Sequence, residues 1–157
     1  MRITKWGEYG ILCSLYLARK HQEGAVGAAE IAETQEIPLQ YTQQILQRLR
    51  KGGIIKSVRG PKGGYALRRS PEETTLKDIL YAAEGDTFEV VCDVHPVYSE
   101  MCGTKNCGLR SVWHDLKQAV DVLLEQRTLA WIMAKETEDF IAQQSELVPG
   151  PRQIAAK

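Results

Sequence analysis

The six-residue run Arg59-Gly-Pro-Lys-Gly-Gly64 constrains this chain more than any other stretch, because three glycines and a proline so close together continue neither a helix nor a strand. It separates two short strand-like runs, Ile54 to Val58 and Tyr65 to Arg69, and therefore predicts a single tight hairpin. What precedes the hairpin reads as helix. Ile11, Leu12, Leu15 and Tyr16 follow the helical period, so residues 9 to 22 form a first helix, closed by Gly24. Ala28 to Thr34 forms a short second helix, and Gln35 to Pro38 a turn. A third helix from Leu39 to Lys51 turns Ile45, Leu46 and Leu49 inward and stops at Gly52-Gly53.

Helices continue beyond the hairpin. Thr75 caps a segment with Leu76, Ile79, Leu80 and Ala83 inward, ended by Gly85. The stretch from Asp86 to Gly108 has no sustained period and reads as a loop. Leu109, Val112, Trp113, Leu116, Val120, Leu123 and Leu124 keep helical spacing from Leu109 to Arg127, and so long an amphipathic helix needs a partner. Thr128 begins another helical segment with Leu129, Ile132, Met133 and Phe140. The expected architecture is mainly α with a small β-hairpin wing, a winged helix-turn-helix plus a long dimerisation helix. Its parts are a DNA-binding domain over 1–85, a cysteine-rich loop over 86–108, helices over 109–144 and a disordered tail over 145–157.

Total charge is balanced, with 20 basic and 20 acidic residues, but its distribution is not. From Ile37 to Pro71 there is no acid, while Arg48, Arg50, Lys51, Lys56, Arg59, Lys62, Arg68 and Arg69 give +8, which leaves 12 basic against 20 acidic residues elsewhere. A charge run alone is usually a solvated face. Here it coincides with helix, helix and basic hairpin in winged-helix order, which points to double-stranded DNA. The third helix offers Gln40, Tyr41, Gln43, Gln44, Arg48, Arg50 and Lys51. Gln pairs bidentately with adenine and Arg with guanine in the major groove. Arg59 and Lys62 at the hairpin tip are placed for backbone or minor groove.

Cys92 and Cys102 are separated by nine residues, Cys102 and Cys107 by four, and His95 lies between them. The N-terminal apolar stretch is too short for a signal peptide and runs straight into Arg19-Lys20, and no run is long enough to span a membrane, so a cytoplasmic protein with reduced thiols is expected. Soft thiolates then select zinc or an iron-sulfur cluster, and this spacing leaves both open beside free thiols. Cys13 lies within the apolar period of the first helix and reads as core, while His21 and His114 read as surface residues.

Three segments carry a family resemblance: Met-Arg-Ile-Thr-Lys-Trp-Gly-Glu-Tyr-Gly at the start, Gln-Arg-Leu-Arg-Lys-Gly-Gly from Gln47, and Val-Arg-Gly-Pro-Lys-Gly-Gly-Tyr from Val58. Over about residues 1 to 135 the chain resembles the Rrf2 family of bacterial regulators. The resemblance implies a homodimer whose long helix packs on its twin and on the partner's first helix, and such a two-fold protein is expected to read a pseudopalindromic operator. It also implies a 2Fe–2S or 4Fe–4S cluster on Cys92, Cys102 and Cys107. Some members add a His three residues after the last cysteine; that position is Arg110, which cannot ligate iron. Others take a carboxylate from the opposite protomer, a place filled here by Glu8. The implied function is a transcriptional repressor sensing redox state, nitric oxide, or iron-sulfur or iron status. A winged-helix regulator with structural zinc or redox-active thiols is the alternative. An iron-sulfur electron carrier would leave the basic hairpin without a role. Nothing marks an enzyme: there is no nucleophile, phosphate loop or paired acid with supporting spacing.

Overall fold

The computed structural model describes residues 3–86 and 108–147. Its elements are α1 (Lys5–Arg19), α2 (Ala28–Thr34), α3 (Leu39–Lys51), β1 (Ile55–Val58), β2 (Gly64–Leu67), α4 (Leu76–Glu84), α5 (Gly108–Gln126) and α6 (Leu129–Leu147). α2 and α3 have the limits read from sequence. α1 does not. It begins four residues earlier, because the Thr4 hydroxyl accepts from the Trp6 amide and caps the helix, and it ends at Arg19 rather than running to residue 22. α6 continues to Leu147, past the tail boundary expected at Ser145; residues 148–157 lie outside the described residues.

One core unites the N-terminal helices with the hairpin. Leu17, Ile31, Ile45, Leu46, Leu49, Ile55, Leu67, Ile79 and Leu129 are fully enclosed; the inward residues expected of α3, Ile45, Leu46 and Leu49, are all among them, whereas the apolar face expected of α5 is not part of this core. Cys13 is among them, which agrees with its reading as a core residue.

The hairpin pairs antiparallel in the register Ile55 with Leu67 and Val58 with Gly64. It also has a third contact. Val26 and Tyr65 exchange both amide-to-carbonyl bonds at 2.8 Å, so the stretch entering α2 is stitched to the wing. Only glycine permits this approach at Gly64, where a Cβ would stand 2.3 Å from the Val26 carbonyl oxygen.

The helix-turn-helix corner is built from a repeated device. At the end of α2 the Ile37 amide donates to Ala32 O at 2.9 Å and the Glu36 amide to Glu33 O at 3.3 Å. At the end of α3 the Ile54 amide donates to Leu49 O at 2.9 Å and the Gly53 amide to Arg50 O at 3.1 Å. Both are Schellman closures, which place the residue after the cap in the left-handed region. Gly53 adopts it with φ 78° and Glu36 with φ 53°.

Beyond the wing, residues 71–76 run antiparallel to 127–130. The Leu76 amide donates to Arg127 O at 2.8 Å and the Leu129 amide to Thr74 O at 3.0 Å. α5 lies along α4 through polar contacts. Lys77 meets Glu125 at 2.6 Å and Asp121 at 3.6 Å, and Lys117 meets Asp86 at 2.7 Å. Among the described residues no helix is long and apolar enough to cross a membrane.

Candidate nucleic-acid interface

α3 buries Thr42, Ile45, Leu46 and Leu49 and turns the opposite side outward. Gln40, Gln44, Gln47 and Lys51 recur at intervals of three and four residues and form one exposed row, with Gln43 and Arg50 beside it. Gln47 was not among the residues singled out from sequence, although the same helical spacing would have found it. The row carries amide donors and acceptors along most of its length and cations at its C-terminal end, which suits a major groove between two phosphate walls.

The wing adds an exposed run from Lys56 through Lys62, including Arg59 and Lys62 at the tip. Tip geometry is set by the Gly63 amide, which donates to Gly60 O at 2.9 Å. Arg69 is paired with Asp78 at 2.6 Å, whereas Arg50, Lys51, Lys56, Arg59, Lys62 and Arg68 have no ion pair among the described residues. Six exposed cations without an ion pair among the described residues, all on α3, the wing and its margin, in a chain with no excess of positive charge, are the electrostatic footprint of a polyanion site.

Two residues expected to read bases are placed differently. Arg48 turns away from the row: its Nη1 donates to the Ala83 carbonyl at 2.7 Å, and its guanidinium lies over the Trp6 ring at 4.1 Å. Tyr41 sits on the same flank, 5.6 Å from Trp6 and 6.4 Å from Tyr9 between ring centres, and is half exposed. Sequence alone assigned both to the polar face. Their partners in α1 and α4 are what turn them aside.

Cys92, Cys102, Cys107 and His95 lie outside the described residues, and among the described residues no group of three or more His, Cys, Asp or Glu could hold a metal ion. Glu8 is described. It stands in the first turn of α1, exposed, and among the described residues its carboxylate pairs with Lys5 at 2.8 Å, which leaves an oxygen accessible to an external cation. Arg110 opens α5. Cys13 is unsuited to ligation, because burial pushes its thiol up to about 12. His21 and His114 are exposed.

A helix-turn-helix with an exposed amide row, followed by a basic wing, makes this a winged-helix, DNA-binding transcriptional regulator. The comparisons with known proteins agree. Residues 3–135 match the family model described as Rrf2, iron-dependent transcriptional regulator. The HTH-type transcriptional regulator IscR of Serratia proteamaculans is 36% identical over 131 residues, covering 83% of this chain and 77% of the relative. IscR of Photobacterium profundum is 33% identical over 133 residues, 85% of this chain and 76% of the relative. Among solved structures, CymR, the global cysteine regulator of B. subtilis, superposes with a TM-score of 0.69 at 31% identity, covering 86% of this chain and 98% of that one. T. potens IscR gives 0.68 at 28% identity, covering 100% and 94%. The chain belongs to the Rrf2 family.

Proposed function

We propose that this protein is a homodimeric repressor whose DNA affinity is set by an iron-sulfur cluster. The observation that carries the reading is α5. Leu109, Val112, Trp113, Leu116 and Leu123 are 38 to 57% exposed on one side of it, while only Leu124 is buried. Such a stripe calls for another apolar surface, and a second α5 offers one of matching shape and chemistry. In the arrangement the family implies, α5 also meets the partner's first helix, which would bring the partner subunit's Glu8 toward the cysteine segment that precedes α5.

The donor set fits a cluster: Cys92, Cys102 and Cys107 offer three soft thiolates, and the partner subunit's Glu8 offers an accessible oxygen. When bound, such a group supplies redox activity and an iron held weakly on its carboxylate side. The chain does the rest. The two α3 rows address two half-sites about one helical turn apart, and the wings hold the phosphates. The working divisions are the DNA-binding unit over 1–85, the cluster segment over 86–108 and the dimerisation helices over 109–144.

The test is an absorption spectrum with iron, sulfide and zinc analysis on protein purified without oxygen. Iron and sulfide should be lost in Cys92→Ala, Cys102→Ala and Cys107→Ala, and Glu8→Ala should alter the spectrum. Zinc without sulfide would replace this reading with a regulator carrying a structural metal, and neither metal would point to thiol chemistry.

A further inference from the structure

The last turn of α4 is packed between α1 and the C-terminal end of α3, the DNA-reading helix. On one side, α1 is set close enough that a Cβ on Gly10 would stand 2.8 Å from the Ala83 Cβ, and one on Gly7 would stand 2.8 Å from Leu80. The Thr4 amide donates to a Glu84 carboxylate oxygen at 3.0 Å, and the Thr4 hydroxyl donates to the same oxygen. On the other side, α3 is equally close, since a Cβ on Gly52 would fall 2.4 Å from the Ala82 Cβ. Arg48 joins all three helices. It rises from α3, lies over Trp6 of α1 at 4.1 Å and donates to Ala83 O of α4 at 2.7 Å.

We propose that Arg48 is a positioning residue that transmits displacement of α1 or of the end of α4 to the DNA-reading helix. This rests on the cluster reading above. Trp6 stands two residues before Glu8, and Ala83 three residues before Asp86, where the cysteine-bearing segment begins. Arg48 therefore ties α3 to both places where loss of a ligand would first be felt. Its chemistry suits the task, because a planar guanidinium stacks and donates at once, which an ammonium does not. Its place on α3 also gives leverage. Gln40 lies eight residues away, on the order of 12 Å along the axis, so a tilt of ~5° about Arg48 moves Gln40 by ~1 Å, enough to break a base contact.

The experiment is operator titration across a salt series with iron-loaded and iron-free full-length protein, for the wild type, Arg48→Lys, Trp6→Leu and the double variant. The wild type should show a ratio between the two states of about 5 to 150 fold. Arg48→Lys should compress that ratio to about twofold, Trp6→Leu should do the same, and the double variant should add little, because both remove one linkage. The salt slope should not change in any of them, since no phosphate contact is lost. A residue with a merely structural role would lower affinity in both states alike and leave the ratio intact; that result overturns the proposal. A slope reduced by about one in Arg48→Lys also overturns it, because Arg48 would then touch a phosphate. A wild-type ratio of one is a different failure. It removes the cluster-sensing reading and with it the transmitting role, while an unchanged slope would still show that Arg48 makes no phosphate contact.

Discussion

Replacing Glu36 by glycine should make this protein more stable. The two helix ends of the helix-turn-helix close with the same pair of bonds, yet Gly53 occupies the left-handed position in one and Glu36, at φ 53°, in the other. An L-residue with a Cβ pays about 1 to 2 kcal/mol in that region relative to glycine. Glycine gives back about 0.4 to 1 kcal/mol through the greater freedom of its unfolded chain. The balance is a gain of about 0.5 to 1 kcal/mol for Glu36→Gly. With a denaturant slope of about 2 kcal/mol per molar in urea, the unfolding midpoint should rise by about 0.3 to 0.5 M at constant slope. Glu36→Ala is the control, because it removes the carboxylate but keeps the Cβ, and it should bring no such rise. Both variants remove a negative charge beside the start of α3, so both should bind operator somewhat more tightly at low salt. Equal stabilisation by alanine would mean that charge, not backbone conformation, governs the site. A lower midpoint in Glu36→Gly would refute the strain argument altogether.

Other outcomes follow from the same geometry. Gln43→Ala should cost about 1 to 3 kcal/mol at one operator position with the salt slope intact, whereas Arg59→Ala and Lys62→Ala should each lower the slope by about one and weaken all sequences alike, as binding titrations on operator variants would reveal. Leu116→Glu should place a charge in the exposed stripe of α5 and give a monomer by sedimentation, with the helical signal of the winged-helix core retained; an unchanged dimer would move the interface elsewhere. Cys13 should resist alkylation at pH 8 until the chain unfolds, as mass spectrometry can follow. Its folded thiol keeps the proton up to about 12 against an ordinary 9.0, so its contribution to stability is complete below the lower value and is lost as pH rises between the two.

What could be read from the sequence was whatever depends on neighbours along the chain. α2 and α3 are legible in the sequence because a turn signal follows each of them, and because α3 has a clean apolar period while α2 has a helical composition. The start of α1 is not, since Gly7 and Gly10 look like helix breakers until α4 is seen to need their missing side chains. Arg48 failed for a related reason. A helical wheel places it on a polar face, but the carbonyl that holds it is 35 residues away in sequence. The Val26 to Tyr65 bridge joins residues still further apart, and no local pattern announces it. The Glu36 corner was read as a turn without its sign of φ, because glutamate is an unusual occupant of the left-handed region.

The antiparallel contact between residues 71–76 and 127–130 bears on how such a chain can change over time. It closes a loop of roughly fifty residues that holds α4, the cysteine-bearing segment and α5. Within it α4 and α5 are ordered, and closure entropy grows only with the logarithm of the length that joins them, so lengthening that connection by nine residues costs about 0.3 kcal/mol. Insertions and deletions between the cysteines are thereby nearly invisible to the stability of the DNA-reading core. The spacing of the cysteines is free to drift, while the winged-helix part stays as it was.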